Sequence, residues 1–321
     1  MNLMNTPETK SVYIGVDVAK SALQVDLRGS HISMSNCSVG CQALIKKLQP
    51  IVGAHVICEA TGGYEQTLVQ ALHDAKIAVS VVNPAQVRAA AKAKGQRAKT
   101  DPIDSRLLTE YGQLYQPAPT PPPSATQRKL AALIGWLQQL VEAQAIAKNQ
   151  AEHHCDEFVR KQQAALFKHY ESQIKRTEAK LKELLASDAQ LKTRAESLDA
   201  IKGVGLRTAL LVLRHMPELG QLNRQQVAAL AGLAPWTRDS GTLKGKRCIG
   251  GGRSEVRVAL YMSALAAAQH NPVLSVVYQR LIAKGKPGKV ALTAVMRKLL
   301  VYMNRKIKAL LLVQGKQKMA A

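Results

Sequence analysis

The chain is poor in aromatic residues: they make up 4% of 321 positions, with two Trp and two Phe. That is too few for the stacking platforms on which single-strand binders lay successive bases. It also lacks paired cysteines. Cys37, Cys41, Cys58, Cys155 and Cys248 include no C-x-x-C pair, which argues against a zinc knuckle or a disulfide framework and suits a reducing cytoplasm. No apolar run is long enough to cross a bilayer: the longest charge-free stretch, 258–279, is broken by Gln269, His270, Asn271 and Pro272. No basic flank leads into an apolar stretch near the start, so the expectation is a cytoplasmic protein with no membrane segment. The largest deficit is in acid. Against 45 Lys plus Arg stand only 22 Asp plus Glu, a net charge of +23. Self-repulsion of that size does not suit an ordinary metabolic enzyme and points to a partner made of phosphate, nucleic acid first.

The deficit is local. Residues 1–116 carry 12 basic and 9 acidic side chains, residues 117–200 carry 12 and 10, and residues 201–321 carry 21 and 3. Solubility alone would be served by an even spread, so the last third is expected to touch nucleic acid. A breaker marks the first seam: 116–127 reads Q-P-A-P-T-P-P-P-S-A-T-Q, whose five Pro predict a stiff extended connector. The expected organisation is a domain over 1–116, a linker over 117–127, a helical hairpin or coiled coil over 128–198 and a C-terminal domain over 199–321.

Before the connector the pattern alternates. Residues 11–18, 22–28 and 32–36 read as short strands, 41–48 as a helix, 54–59 as a strand, 64–75 as a helix and 77–82 as a buried strand. A helix follows Asn83-Pro84, and another is predicted over 102–115, with Pro102 in its first turn. Three strands followed by alternating helix and strand is the order of a ribonuclease H-like, mixed-sheet α/β domain. After the connector the chain reads as all helix. Leu130, Leu133, Leu137 and Leu140 share one face, and Phe167, Ile174 and Leu181 repeat every seven residues. Tyr170, Leu184, Leu191 and Leu198 fill the second seam, with Thr177, Asp188 and Ala195 as weak steps. An intramolecular face and an oligomer contact fit this pattern equally well. Near 198–213 the sequence L-D-A-I-K-G-V-G-L-R-T-A-L-L-V-L reads as a helix-hairpin-helix. Gly203 and Gly205 would let backbone approach a phosphate, with Lys202 and Arg207 on either side.

Four acids of the first domain lie where chemistry would want them. Asp17 sits inside the apolar strand Y-I-G-V-D-V, where an unpaired carboxylate is costly. Glu59 ends the strand H-V-I-C-E, before Thr61, Gly62 and Gly63, which are read as opening a path for a ligand. Asp101 and Asp104 lie three apart at a helix start and so share a face. Each alone has a bland explanation, as a cap or an ion pair. Together they form a set of hard oxygen donors suited to two Mg²⁺ ions in phosphodiester displacement. Later, a loop between two helical patterns holds Ser240 among Arg238, Lys244, Lys246, Arg247, Arg253 and Arg257. Arginines clamp phosphate, and Arg253 and Arg257 lead as candidates for phosphate or oxyanion contact. With no His nearby to act as base, chemistry alone reads Ser240 as a turn residue rather than a nucleophile.

The series G-V-D-V-A-K, E-A-T-G-G-Y, V-N-P, K-T-D-P-I-D-S-R, I-K-G-V-G, L-A-G-L-A-P and the D-S-G to G-G-R loop, in this order, resembles the DEDD transposases of bacterial insertion sequences over nearly the whole chain. The resemblance implies a RuvC-like N-terminal domain, a coiled-coil middle and a C-terminal transposase domain. It implies an acidic tetrad at Asp17, Glu59, Asp101 and Asp104, and a catalytic serine at Ser240 that forms a covalent phosphoserine link to DNA. It further implies donor and target DNA, a structured bridge RNA as guide, and a homo-oligomer of dimers assembling into a tetramer, with tetrad and serine supplied by different protomers. Two other readings stand beside it. One is a RuvC-like endonuclease or junction resolvase with no covalent intermediate. The other is a non-catalytic nucleic-acid-binding protein.

Overall fold

The computed structural model describes residues 11–96, 100–151, 156–237, 239, 240, 245 and 247–320, with side chains to 314. It divides into two compact units, Met1–Pro123 and Ser124–Ala321. In the first unit the chain runs β1 (Val12–Val18), β2 (Ala22–Leu27), β3 (Ser30–Ser35), α1 (Ser38–Leu48), β4 (Ala54–Glu59), α2 (Gln66–Asp74), β5 (Ala78–Val82), α3 (Pro84–Ala93) and α4 (Asp101–Tyr115). The strands form one sheet in the order β3-β2-β1-β4-β5. β1–β2 and β2–β3 pair antiparallel, while β1–β4 and β4–β5 pair parallel. This mixed α/β sheet is compatible with a RuvC-like domain.

Alternation along the strands sorts the sheet into two faces. Ile14, Val16, Leu23, Val25, Val56 and Cys58 point to one, where Leu44 and Leu48 of α1 and Leu68 and Leu72 of α2 complete a buried core. Ile57 and Val82 point to the other and meet Val87 of α3 and Leu108 of α4. Here α4 lies unusually close to β1. A Cβ on Gly15 would stand 1.9 Å from the Ser105 carbonyl oxygen, and one on Gly112 would stand 2.8 Å from Ile57 and Tyr13. The Gly15 N–H donates to Thr109 Oγ1 at 2.8 Å. Small residues at one helix spacing thus let the α4 backbone rest on the strand that carries Asp17.

The connector is more than a spacer. Its first part is docked along β5: Thr120 N–H donates to the Val79 carbonyl at 2.8 Å, and Thr120 Oγ1 accepts from the Val81 N–H at 3.0 Å. Buried Ser80 bonds the Ala118 carbonyl at 2.8 Å and the ring of buried His55 at 2.8 Å. His73 Nε2 lies 3.0 Å from the Thr120 carbonyl.

The second unit is helical: α5 (Ala125–Ala151), α6 (Glu157–Ser187), α7 (Ala189–Asp199), α8 (Leu206–His215), α9 (Arg224–Leu230), α10 (Ser254–His270), α11 (Pro272–Ala283) and α12 (Gly288–Ala320). One core joins Leu130, Ile134 and Leu137 of α5, Leu181 and Leu184 of α6, Leu210 of α8, Leu260 of α10 and Leu299 and Ile307 of α12. Helices on both sides of position 199 therefore share their apolar burial. By length and composition α5 alone, among the described residues, is apolar enough to cross a membrane. Leu130, Ile134, Leu137 and Leu140 of this helix are buried, while Trp136 and Ile146 are exposed. The seven-residue seam does not run through to Leu198 on one helix. It stops at Asp188, which is the N-cap of α7 and accepts from the Leu191 N–H at 2.9 Å.

Candidate catalytic site

β1 and β4 run parallel with Val16 opposite Cys58. One residue further on, Asp17 and Glu59 therefore stand side by side at the carboxyl ends of the two central strands, about 4.8 Å apart in backbone spacing. Both are half-buried. On the other side of Asp17 its antiparallel partner is Gln24. The Gln24 amide donates to Asp101 Oδ2 at 3.4 Å, so the first turn of α4 is drawn to the same strand end. Asp104, the residue before Ser105, lies 3.6 Å from the Arg88 guanidinium of α3. Strand register thus sets Asp17 and Glu59 at the ends of adjacent strands and Gln24 ties Asp101 to the same strand end, whereas Asp104 is engaged by Arg88.

As placed, no three carboxylate, histidine or cysteine side chains among the described residues converge to hold one ion. The donor chemistry nevertheless suits a hard cation: every acid is an oxygen donor, and Gln24 Oε1, on the strand neighbour of Asp17, is buried without a hydrogen-bond partner. Gln24 and Arg88 were not singled out from sequence. Neither has a local signal, since Gln24 is named only by cross-strand pairing and Arg88 only by helix packing.

The T-G-G segment after Glu59 is less open than expected. The Glu65 carboxylate accepts from Thr61 N–H at 3.1 Å, Thr61 Oγ1 at 3.0 Å and Gly63 N–H at 2.9 Å, closing the loop on an internal anion. Beneath it, burial and the nearby Glu65 and Glu59 charges push the Cys58 thiol up to about 12.

In the second unit, the turn 200–205 joins α7 to α8 as the hairpin reading expects. The two glycines differ in role. Gly203 has φ +97°, and a Cβ there would lie 2.6 Å from the Ala267 backbone nitrogen, so it lets the turn pack on α10. Gly205 faces open space at the N-terminus of α8. Lys202 is exposed, whereas Arg207 is paired with Glu178 of α6 at 2.6 Å. Arg207 lines a cavity of about 370 Å³ with Lys148, Phe167, Lys168 and Ile174.

Ser240 and Arg247 are exposed. Arg238, Lys244 and Lys246 lie outside the described residues. Trp236 and Cys248 form an isolated antiparallel bridge, and the Asp239 carboxylate accepts from Gly245 N–H at 3.1 Å. The two arginines favoured for phosphate contact are engaged within the fold. Arg253 holds Glu218 by two hydrogen bonds of 2.8 and 2.7 Å and donates to the His215 carbonyl at 2.6 Å. Arg257 Nη1 donates to the Ala231 carbonyl at 3.0 Å and to the Gly251 carbonyl. The sequence shows a basic loop but not its acid, because Glu218 lies 35 residues before Arg253. Burial pushes the Glu218 carboxyl up, but the Arg253 bond and charge outweigh it and leave it below the usual range. His215 behind this pair is pushed down by burial and by Arg214.

Residues 14–160 match a transposase family named for its DEDD residues and the insertion element IS110, and residues 195–279 match the transposase family of IS116, IS110 and IS902. The chain is 30% identical to the pilin gene-inverting protein of Moraxella bovis over 301 residues, covering 90% of this chain and 93% of that one. The Moraxella lacunata protein of the same name matches equally over 302 residues. A 43.6 kDa protein of the insertion element IS110 in Streptomyces coelicolor is 33% identical over 102 residues, covering 31% of this chain and 25% of that one. With two transposase family models matched and relatives aligned almost end to end, the chain belongs to the IS110/IS116/IS902 family of transposases, enzymes of DNA transposition or site-specific recombination.

Proposed function

We propose that this transposase moves or inverts DNA by strand exchange through a covalent link to Ser240, completed by the acidic tetrad and directed by a structured RNA. The observation that carries the reading is the parallel pairing of Val16 with Cys58, the residues just before Asp17 and Glu59, with the first turn of α4 held to the same strand end through Gln24. Asp17, Glu59, Asp101 and Asp104 would hold Mg²⁺, which when bound supplies positive charge against the scissile phosphate. Ser240 Oγ forms a bond to phosphorus while one P–O bond of the strand breaks, and the released strand oxygen takes up a proton. Attack by the hydroxyl of a new strand reverses the step, joining the DNA and restoring the serine.

Donor and target DNA are the substrates, and the basic second unit holds their backbones and that of the guide. Lys202, Gly205, Arg238, Lys244, Lys246 and Arg247 are the contacts kept from the sequence. Pairing with RNA would carry the sequence choice, leaving the protein to read shape and charge. The tetrad and Ser240 lie in different units of the chain, which suits a site completed between protomers of a dimer or tetramer.

The test is denaturing electrophoresis after the full chain is incubated with element-end DNA, Mg²⁺ and RNA from the flanking segment. A slow, protease-sensitive DNA species is expected, absent in Ser240→Ala and reduced roughly 100-fold or more in Asp17→Asn, with DNA binding retained in both. Cleavage of unchanged yield in Ser240→Ala would instead identify a nuclease that uses water. Equal yield without RNA would remove the guide from the reading.

A further inference from the structure

We infer that Arg253, Arg257 and Glu218 are positioning residues that clamp the two ends of the loop carrying Ser240, rather than ligands of nucleic-acid phosphate; this rests on the nucleophilic role proposed for that serine. The loop leaves the fold after α9 and returns at α10. Its ends are in backbone contact: Arg253 N–H donates to the Leu230 carbonyl at 2.9 Å, and a Cβ on Gly252 would lie 2.3 Å from the Gly232 nitrogen. Arg257 bridges the same two ends, one nitrogen serving the carbonyls of Ala231 on the way out and Gly251 on the way back. Arg253 then fastens the return to the end of α8 through the His215 carbonyl and to the following turn through Glu218. Its two bonds to Glu218 form the fork geometry in which a guanidinium is held most firmly.

The distribution of acid supports the same division of labour. Residues 201–321 contain 21 basic side chains and three acids, Glu218, Asp239 and Glu255. All three are at this loop. Glu218 holds Arg253, Asp239 beside Ser240 accepts from Gly245 N–H, and Glu255 accepts from Ser254 at 3.1 Å where the loop re-enters α10. On a surface whose affinity for phosphate falls with every carboxylate, the few acids present are spent on shaping one excursion of chain. A guanidinium meant for DNA gains nothing from such a partner. One meant to hold backbone does.

The test uses the full chain with Glu218→Gln and Arg257→Gln, and reads three quantities: alkylation of exposed Cys248 resolved by peptide mass, the salt slope of DNA binding, and protein–DNA adduct per bound complex. The clamp predicts Cys248 alkylation raised about tenfold in both variants, a salt slope unchanged, and adduct per complex lowered about 100-fold, as expected when a reacting group is misplaced by an ångström. The exchange Glu218→Arg with Arg253→Glu restores part of the adduct. Phosphate ligation predicts the reverse. Arg257→Gln then lowers the slope by about one with adduct per complex unchanged, Glu218→Gln tightens binding by unburdening Arg253, and either result overturns the clamp, as does unaltered Cys248 alkylation. Should Ser240→Ala still form adduct, the nucleophile assignment fails by itself, and the alkylation arm still decides whether the loop is clamped.

Discussion

A methyl group on Gly15 would meet the Ser105 carbonyl oxygen at 1.9 Å, a collision that only a shift of α4 can relieve. Gly15→Ala is therefore expected to cost about 3 kcal/mol and to carry Asp101 and Asp104 away from Asp17. Denaturant unfolding and the adduct assay should both register it, and wild-type values in both would refute the seat assigned to α4. His55 supplies a pH test. Burial holds its pKa below the usual 6.5, so the folded chain refuses a proton that the unfolded chain accepts. Stability from this group is complete above about pH 6.5 and falls as the pH drops below it, by at most about 1.4 kcal/mol per pH unit. His55→Gln should flatten that slope in thermal unfolding between pH 5 and 8, and an identical slope would assign the dependence elsewhere. At this scale the sequence is legible where chemistry conflicts with pattern, as with Asp17, a carboxylate inside an apolar strand. It is silent where meaning comes from a distant neighbour. Nothing next to Gly15 announces Ser105, and nothing next to Arg253 announces Glu218, so the one reads as an ordinary small residue and the other as a free cation.

The strands of the first unit are legible as short apolar or alternating runs bounded by turns, and their ends fall within a few residues of those expected. The connector is not, because proline content reveals extension but not what an extended segment lies against. Its attachment has a measurable energy. Thr120→Val removes the acceptor of the Val81 N–H and leaves a partly covered donor without its partner, at about 1–3 kcal/mol. Hydrogen exchange at Val81 should accelerate accordingly, and unaltered exchange would mean that the docked segment does not protect it. The hairpin turn is legible in its glycines but divided in its use, since Gly203 serves α10 and only Gly205 is open toward solvent. Likewise the heptad pattern announces a long helical face, yet the capping aspartate at 188 stops it and the turn that follows begins a new helix.

For the whole molecule, the two compact units redraw the charge map. Residues 1–123 hold 12 basic and 9 acidic side chains, and residues 124–321 hold 33 and 13. A cut at position 200 would pass through a core that extends from Leu130 to Ile307, so fragments should be divided at 123. The 124–321 fragment is expected to reproduce nearly all of the full chain's salt dependence of nucleic-acid binding, and 1–123 to show a shallow slope. Equal slopes from the two would contradict the map. The docked connector has a consequence at this scale as well. β5 is the last strand of the sheet, and a bare edge is a template on which a second chain can polymerise. Thr120 occupies its bonding groups at Val79 and Val81, and the flanking prolines have no N–H with which to pass the ladder on. The segment that leads out of the first unit is thus also a chain terminator for its sheet, guarding a protein built to gather on nucleic acid against gathering on itself.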